Sequence, residues 1–312
     1  MSIEGKYRHR LGLDLGGTKI EAVILNEDGN TLAQTRVATP GHDYSALLHC
    51  IRELIDSLEI EAGITTPLPL GIGTPGSRSP ATGLMRNCNS TVLNGRALLE
   101  DLTEICRRPV RMANDADCFA LSESRDGAGE NATSVFGVIL GTGVGGGIVI
   151  QRKLLAGPNR LCGEWGHNRL ALERLADFPA RLHRPRICYC GDKNCVETWL
   201  SGPGMALTHQ QLHGQVLNIE RIAASSSDAA HRHTLAIYCD MLATALASVI
   251  NLLDPELIVL GGGLSKQSAL YTRLPELLAT KVFSDTLSTP VLPPKFGDSS
   301  GVRGAAWLWP LN

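Results

Sequence analysis

Apolar positions follow two rhythms along this chain. Residues 10–15 alternate Leu with Gly and Asp and predict a strand; residues 21–25 and 31–37 predict two more, joined by the Asp-Gly turn of residues 26–30. From Tyr44 to Leu58 the period lengthens. Leu47, Leu48, Ile51, Leu54, Ile55 and Leu58 fall on one helical face. A short strand at 68–72, a helix at 98–106, a strand at 110–112 and a helix at 115–125 follow. The pattern then restarts with strands at 134–140 and 148–150, a long helix at 235–253, a strand at 257–260, a helix at 271–280 and a terminal helix within 300–309.

Twice a strand runs into a glycine turn and out into another strand, at "LDLGGTK" and at "LGTGVGG". This weak internal repeat predicts two related α/β halves with a ligand cleft between them, because ligands of α/β sheets sit beyond strand ends. Composition narrows the classes. The chain has 312 residues, 43 % hydrophobic and 19 % charged, with a net charge of −2. It can bury a sizeable core, and it lacks the basic character of a nucleic-acid or membrane-surface binder. The start, "MSIEGKYRHR", has no apolar segment of a secretory signal. The run 241–253 reads as a buried helix, too short for a bilayer. The expectation is a soluble cytoplasmic protein in which the nine cysteines are mostly reduced. Cys50, Cys106, Cys118 and Cys239 are most simply core residues.

The glycine clusters carry the first chemistry. In "DLGGTK", Gly16 and Gly17 free backbone N–H groups to reach phosphate oxygens, Thr18 adds a hydroxyl and Lys19 a cation. Asp14, at the strand end, is placed to hold Mg²⁺ through water. Gly141, Thr142 and Gly143 open a second such turn, and Gly261, Gly262 and Gly263 a third. None has the P-loop or dinucleotide-binding pattern. In "MANDAD", Asn114 and Asp115 stand between a strand and a helix, where Asp115 serves equally well as a general base or as a helix N-cap. Asp117 reads as a first-turn acid suited to the helix dipole. Cys188, Cys190 and Cys195 form a C-x-C-x4-C set whose thiolates favour Zn²⁺.

In order, "GLDLGGTK", "TPG", "NDAD", "GTGVGGG", "GEWGH", "CYCGDKNC" and "LGGG" resemble the ROK sugar kinases (repressor, open reading frame, kinase) of the actin/hexokinase-like superfamily. The resemblance covers nearly all of the chain from Arg10. It implies a two-domain, actin-like ATPase (ribonuclease H-like) α/β fold with a central cleft. Residues 1–114 would form the smaller domain, with a helix at about 299–312 packing back on it, and 115–298 the larger. It implies Mg·ATP and a hexose as ligands, with Asp115 as the base. Gly76, Asn114, Glu164, His167 and Glu197 would lie at the sugar. His167 would complete a closed zinc site with Cys188, Cys190 and Cys195. A homodimer is the family expectation. Residues 89–95 and the C-terminal segment look like those of bacterial fructokinases, so the expected acceptor is the 6-hydroxyl of D-fructose. Mannokinase, glucokinase and N-acetylglucosamine kinase are the alternatives. A sugar-responsive repressor would need a helix-turn-helix before Arg10, where only nine residues stand. A non-catalytic sugar-binding module would lack the base or a phosphate loop, yet Asp115 and "DLGGTK" are both present. One departure stands out: Asn194 occupies a turn position where the family has glycine.

Overall fold

A computed structural model describes residues 7–88, 90–175, 177–216 and 228–310. The first predicted strands are β1 (Arg10–Leu15), β2 (Lys19–Leu25) and β3 (Thr31–Ala38), followed by helix α1 (Tyr44–Glu61) and β4 (Leu70–Thr74). A short hairpin of β5 (Ser77–Arg78) and β6 (Met85–Arg86), helix α2 (Leu98–Cys106) and β7 (Val110–Asn114) complete this half. The sheet order is β3-β2-β1-β4-β7, with β3, β2 and β1 antiparallel and β1, β4 and β7 parallel. Helix α1 begins at Asp43, whose side chain accepts from Ala46 N, and it buries Leu47, Ile51, Leu54, Ile55 and Leu58 on this sheet.

Helix α3 (Asp115–Arg125) leads into the second half: β8 (Ser134–Leu140), β9 (Val144–Ile150), β10 (Lys153–Leu154), α4 (Val196–Leu200), α5 (Gly202–His213), α6 (Ala229–Leu253), β11 (Leu257–Gly261), α7 (Ser268–Ala279), β12 (Val291–Leu292) and α8 (Ser300–Trp307). The order β10-β9-β8-β11-β12 repeats the first sheet, strand sense included. The expected repeat is therefore a repeat of topology.

Three of the differences from the expected elements have clear physical reasons. The turn expected over 141–147 is confined to Gly141–Gly143, since Gly145, Gly146 and Gly147 lie inside β9. A Cβ at Gly147 would stand 2.6 Å from Ala116 O, and one at Gly146 would stand 2.9 Å from Phe136 and Trp165, so these glycines serve packing. Helix α6 starts six residues early because Asp228 accepts from Ala230 N and His231 N and caps it. That helix has the length and mean hydropathy (1.7) to cross a bilayer, but 61 % of the window is buried inside the protein. Helix α5 was unforeseen. Its opening Gly-Pro-Gly reads as a loop, yet Ser201 caps it, Pro203 suits a first turn, and Gly214 ends it at φ 70°.

Helix α8 locks the halves together. It packs on β1 and β4 of the first sheet and on α3. Only small residues allow the approach: a Cβ on Gly304 would sit 1.6 Å from Cys118 O, and one on Gly71 1.8 Å from Ala305 O. The variant Gly304→Ala should lower unfolding free energy by about 1–3 kcal/mol or more through forced separation of α3 and α8. Urea melts matching the parent would show that the crossing yields freely.

Candidate functional site: an acidic cleft beside a thiolate cluster

A cleft of about 2450 Å³ opens between the halves. Its walls bring together Gly76, Asn114, Asp115, Glu164, His167 and Glu197, with Thr142 and Gly143 from the second glycine turn. Asp14, Gly16, Gly17, Thr18, Lys19, Gly141 and the Gly261–Gly262–Gly263 turn lie outside this lining. Gly17, Thr18 and Lys19 are exposed, and Gly16 N donates to Lys19 O at 3.0 Å across their turn. Gly261 is a buried strand end whose Cβ would strike Phe119 at 2.6 Å. Gly262 has φ 82°, while Gly263 faces open space.

Strand β7 and helix α3 place the central pair. Asn114 is the N-cap: its Oδ1 accepts from Ala116 N at 2.9 Å, and its Nδ2 donates to Gly76 O at 3.0 Å. Asp115 is therefore the first helical residue and not the cap. Asn114 already spends one donor and one acceptor on tying the Gly76 loop to the helix. Gly76, at φ 72°, has no room for a side chain, because a Cβ would stand 2.4 Å from Arg86 O. Asp115 opens to the cleft and accepts from Ala116 N at 2.8 Å. Its carboxyl is pushed above the usual range, chiefly by the surrounding protein, with Glu164 adding repulsion and the Ala116 N–H opposing it.

The "GEWGH" segment is pressed onto β9. Cβ atoms on Gly163 and Gly166 would lie 2.0 Å from Gly146 O and 2.1 Å from Val144 O. Trp165 Nε1 donates to Gly145 O at 2.9 Å, and its ring meets Phe136 edge-on at 5.6 Å. The anchored Trp165 leaves Glu164 exposed in the cleft and turns His167 toward the cysteines. Glu197, on α4, accepts from Val144 N at 2.9 Å through Oε2, so this carboxylate braces the second glycine turn.

Sequence reasoning gave Asp117 only a helix-end role. The structure also puts it in the cleft wall with Oδ1 buried and unpartnered. Burial, then Asp115 and Glu164, raise its pKa to about 7. Asp14 is likewise raised to about 7, by burial and then by Asp115 and Glu21. Arg160 lines the same wall and opposes the shift of Asp117. The spacing Asp115-x-Asp117 at a helix start was the available clue, since both acids then share the first turn.

His167, Cys188, Cys190 and Cys195 present ligand atoms all within 4.8 Å of one another. Cys188 Sγ lies 3.6 Å from His167 Nδ1, and Cys190 Sγ 3.6 Å from Cys195 Sγ. A tetrahedral zinc ion with Zn–S bonds of about 2.3 Å separates its sulfurs by roughly this much, so the donor set fits that metal. Asn194 adopts φ 59°. Its Oδ1 accepts from Arg186 N at 2.9 Å, a bond that glycine could not make. Cys162 is not among the clustered ligands.

Two repeated mixed sheets flanking a cleft, with strand-end acids and glycine turns, define the actin-like ATPase fold. The ROK family model matches residues 10–311, and the chain belongs to that family. It is 37 % identical over 304 residues to the N-acetyl-D-glucosamine kinase of Salmonella newport (strain SL254), covering 95 % of this chain and 98 % of that one. Among solved structures, the ROK hexokinase of Thermus thermophilus superposes with a TM-score of 0.83 at 26 % identity, covering 96 % and 97 % of the two chains. The ROK glucokinase of Streptomyces griseus in complex with glucose and AMPPNP gives a TM-score of 0.72 at 26 % identity, covering 96 % and 99 %.

The acid cluster has a measurable signature. A carboxyl whose folded pKa is above its unfolded value of 3.8 holds its proton longer in the folded state. Stability is then lost as pH rises from about 4 toward 7, and the deficit persists above 7. Asp117→Asn should therefore raise Tm at pH 8 and leave it nearly unchanged at pH 4. At about 1.4 kcal/mol per pKa unit, the rise from 3.8 to about 7 bounds the gain at roughly 4 kcal/mol. An equal shift at both pH values would contradict the assignment.

Proposed function

We propose that the chain is an ATP-dependent sugar kinase whose acceptor is N-acetyl-D-glucosamine, phosphorylated on its 6-hydroxyl. The identity to N-acetyl-D-glucosamine kinases over 95 % of the chain carries this reading. The cleft supplies the chemistry. Asp115 takes the hydroxyl proton as that oxygen attacks the γ-phosphorus and ADP departs; its raised pKa makes it a better proton acceptor than an aspartate of ordinary pKa. Asn114, Glu164, His167 and Glu197 hydrogen-bond the sugar, and Gly76 lets the opposite wall approach. The glycine turns at Gly16–Gly17, Gly141–Gly143 and Gly261–Gly263 hold the nucleotide with Thr18 and Lys19. Mg²⁺, bound with ATP and near Asp14 through water, would neutralise charge on the phosphates. In this reading the smaller lobe is residues 1–114 with the terminal helix, the larger is 115–298, and the boundary falls just before the base.

His167, Cys188, Cys190 and Cys195 would hold Zn²⁺ in a closed four-ligand site with no position for a reacting water. Its task is to set the directions of His167 and Glu197. D-fructose, the acceptor expected from residues 89–95, has weaker support. Asn89 lies outside the described residues. Asn94 has a local task, accepting from Cys88 N at 2.9 Å and donating to Cys88 O at 3.1 Å, which closes the loop beside Gly76.

A coupled ADP-release assay over N-acetyl-D-glucosamine, fructose, mannose and glucose should give a kcat/KM at least about tenfold higher for the first. Preference for fructose would overturn the acceptor, and turnover of no sugar would overturn the kinase. Asp115→Asn should lower kcat by about 10²–10⁴-fold with sugar affinity largely kept. A near-normal kcat would remove Asp115 as base. Cys190→Ser should lose the bound zinc and raise the sugar KM, whereas an unchanged KM in metal-free protein would deny the bracing role.

A further inference from the structure

Four of the nine histidines gather where α5 meets α6, apart from the cleft lining. His209 and His213 stand one turn apart on α5, on the same helical face. Their rings lie 4.9 Å apart between centroids. From α6, the His231 ring lies 5.1 Å from His209, and the His233 ring 5.4 Å from His213.

The nitrogens of this cluster are poorly partnered. His231 is only 7 % exposed, and both of its ring nitrogens are buried with no hydrogen bond. His213 Nε2 is buried and unpartnered as well. His209, fully buried, places Nδ1 2.8 Å from Thr234 Oγ1. Donation of Nδ1–H to that hydroxyl leaves the Nε2 lone pair free, and Gln215 Oε1 at 3.4 Å is too distant to hold that nitrogen firmly. An outer oxygen that orients an imidazole while its other nitrogen faces inward is the usual arrangement around a ligating histidine. Asp228 Oδ2, 3.8 Å from His231 Nδ1, stands in a similar relation to that ring. Buried polar atoms ordinarily find partners, so three imidazoles with idle nitrogens in one place call for a shared one.

We propose that His209, His213 and His231 bind a late first-row transition-metal dication, with His233 closing the set from the exposed rim. Imidazole nitrogen suits Zn²⁺, Ni²⁺ and Cu²⁺ and disfavours Mg²⁺ and Ca²⁺. The rings are not fully drawn in: among the described residues, only the thiolate cluster has all its ligand atoms within 4.8 Å. The ion would close the remaining gap by ring rotation. Burial first, then His209 and His233, lower the pKa of His213, which favours the neutral, ligating form. The half-buried His213 and exposed His233 give the ion a way in. Bound there, it would clamp α5 to α6. Arg186 already ties α5 to the thiolate loop, through Thr208 Oγ1 at 2.9 Å and Gln211 Oε1 at 2.8 Å.

The test counts zinc per chain in the untagged, full-length protein after saturation with Zn²⁺ and desalting. Two equivalents are expected in the parent. His213→Gln and His231→Gln should each lose one and keep the other. Cys190→Ser should retain one, and adding His213→Gln should remove it. A parent that saturates at a single equivalent overturns the proposal, as does a second equivalent that survives His213→Gln. His213 is partly exposed, so its variant decides the matter even where His231→Gln does not fold.

Discussion

At the crossing of α3 and α8, Gly304 lies so close to the carbonyl of Cys118 that a Cβ there would stand 1.6 Å from the oxygen. Much of the rest depends on it. Helix α8 rests on β1 and β4, whose Gly12 and Gly71 leave no volume for a side chain against it. Helix α3 rests on β8 and β9 of the other sheet, against Gly137 and Gly147. The crossing thus joins two cores that are otherwise separate. It also sets the position of the first turn of α3, where Asp115 and Asp117 reside. Close packing leaves few other arrangements for that turn.

The cleft spends stability on charge. Burial and then Asp115 raise the proton affinity of Asp117 in the cleft wall and of Asp14 behind it, burial and then Glu164 raise that of Asp115, and neither Asp14 nor Asp117 has a close cation that outweighs burial. Such crowding suits a site that receives a divalent cation with its nucleotide, since the incoming charge relieves repulsion that is present beforehand. Under the proposed function, the same crowding would keep Asp115 basic enough to accept a hydroxyl proton.

Much of this was legible in the sequence because it rests on local pattern. Helices 98–106 and 115–125 and strands 10–15 and 134–140 have the observed bounds, each having clear periodicity and a sharp breaker. The thiolate cluster was legible because its ligands come from one short loop plus His167. What escaped depends on contacts across the chain. Gly145–Gly147 look like a phosphate turn, but they are strand residues thinned for α3 and Trp165. Asn114 looks like a pure ligand residue, but it is also a cap and a strut to Gly76. Asp117 gains its place in the cleft wall from the packing of α3 between the two halves, and the meeting of four histidines needs α5 and α6 to be brought side by side. Acceptor identity is the least legible of all, because residues 90–95 are engaged in closing their own loop.

Asn194 shows how one side chain can alter the history of a binding loop before any ligand arrives. Its backbone N–H and side-chain Oδ1 engage Arg186 O and N at 2.8 and 2.9 Å, and its carbonyl receives Leu170 N at 2.8 Å. Compared with glycine, asparagine also has fewer conformations to surrender when the chain folds. The cysteines are therefore brought together by the hydrogen bonds of their own loop, independently of any ion. If the proposed zinc binds, its capture would fill a mould already shaped, and its loss need not melt that mould.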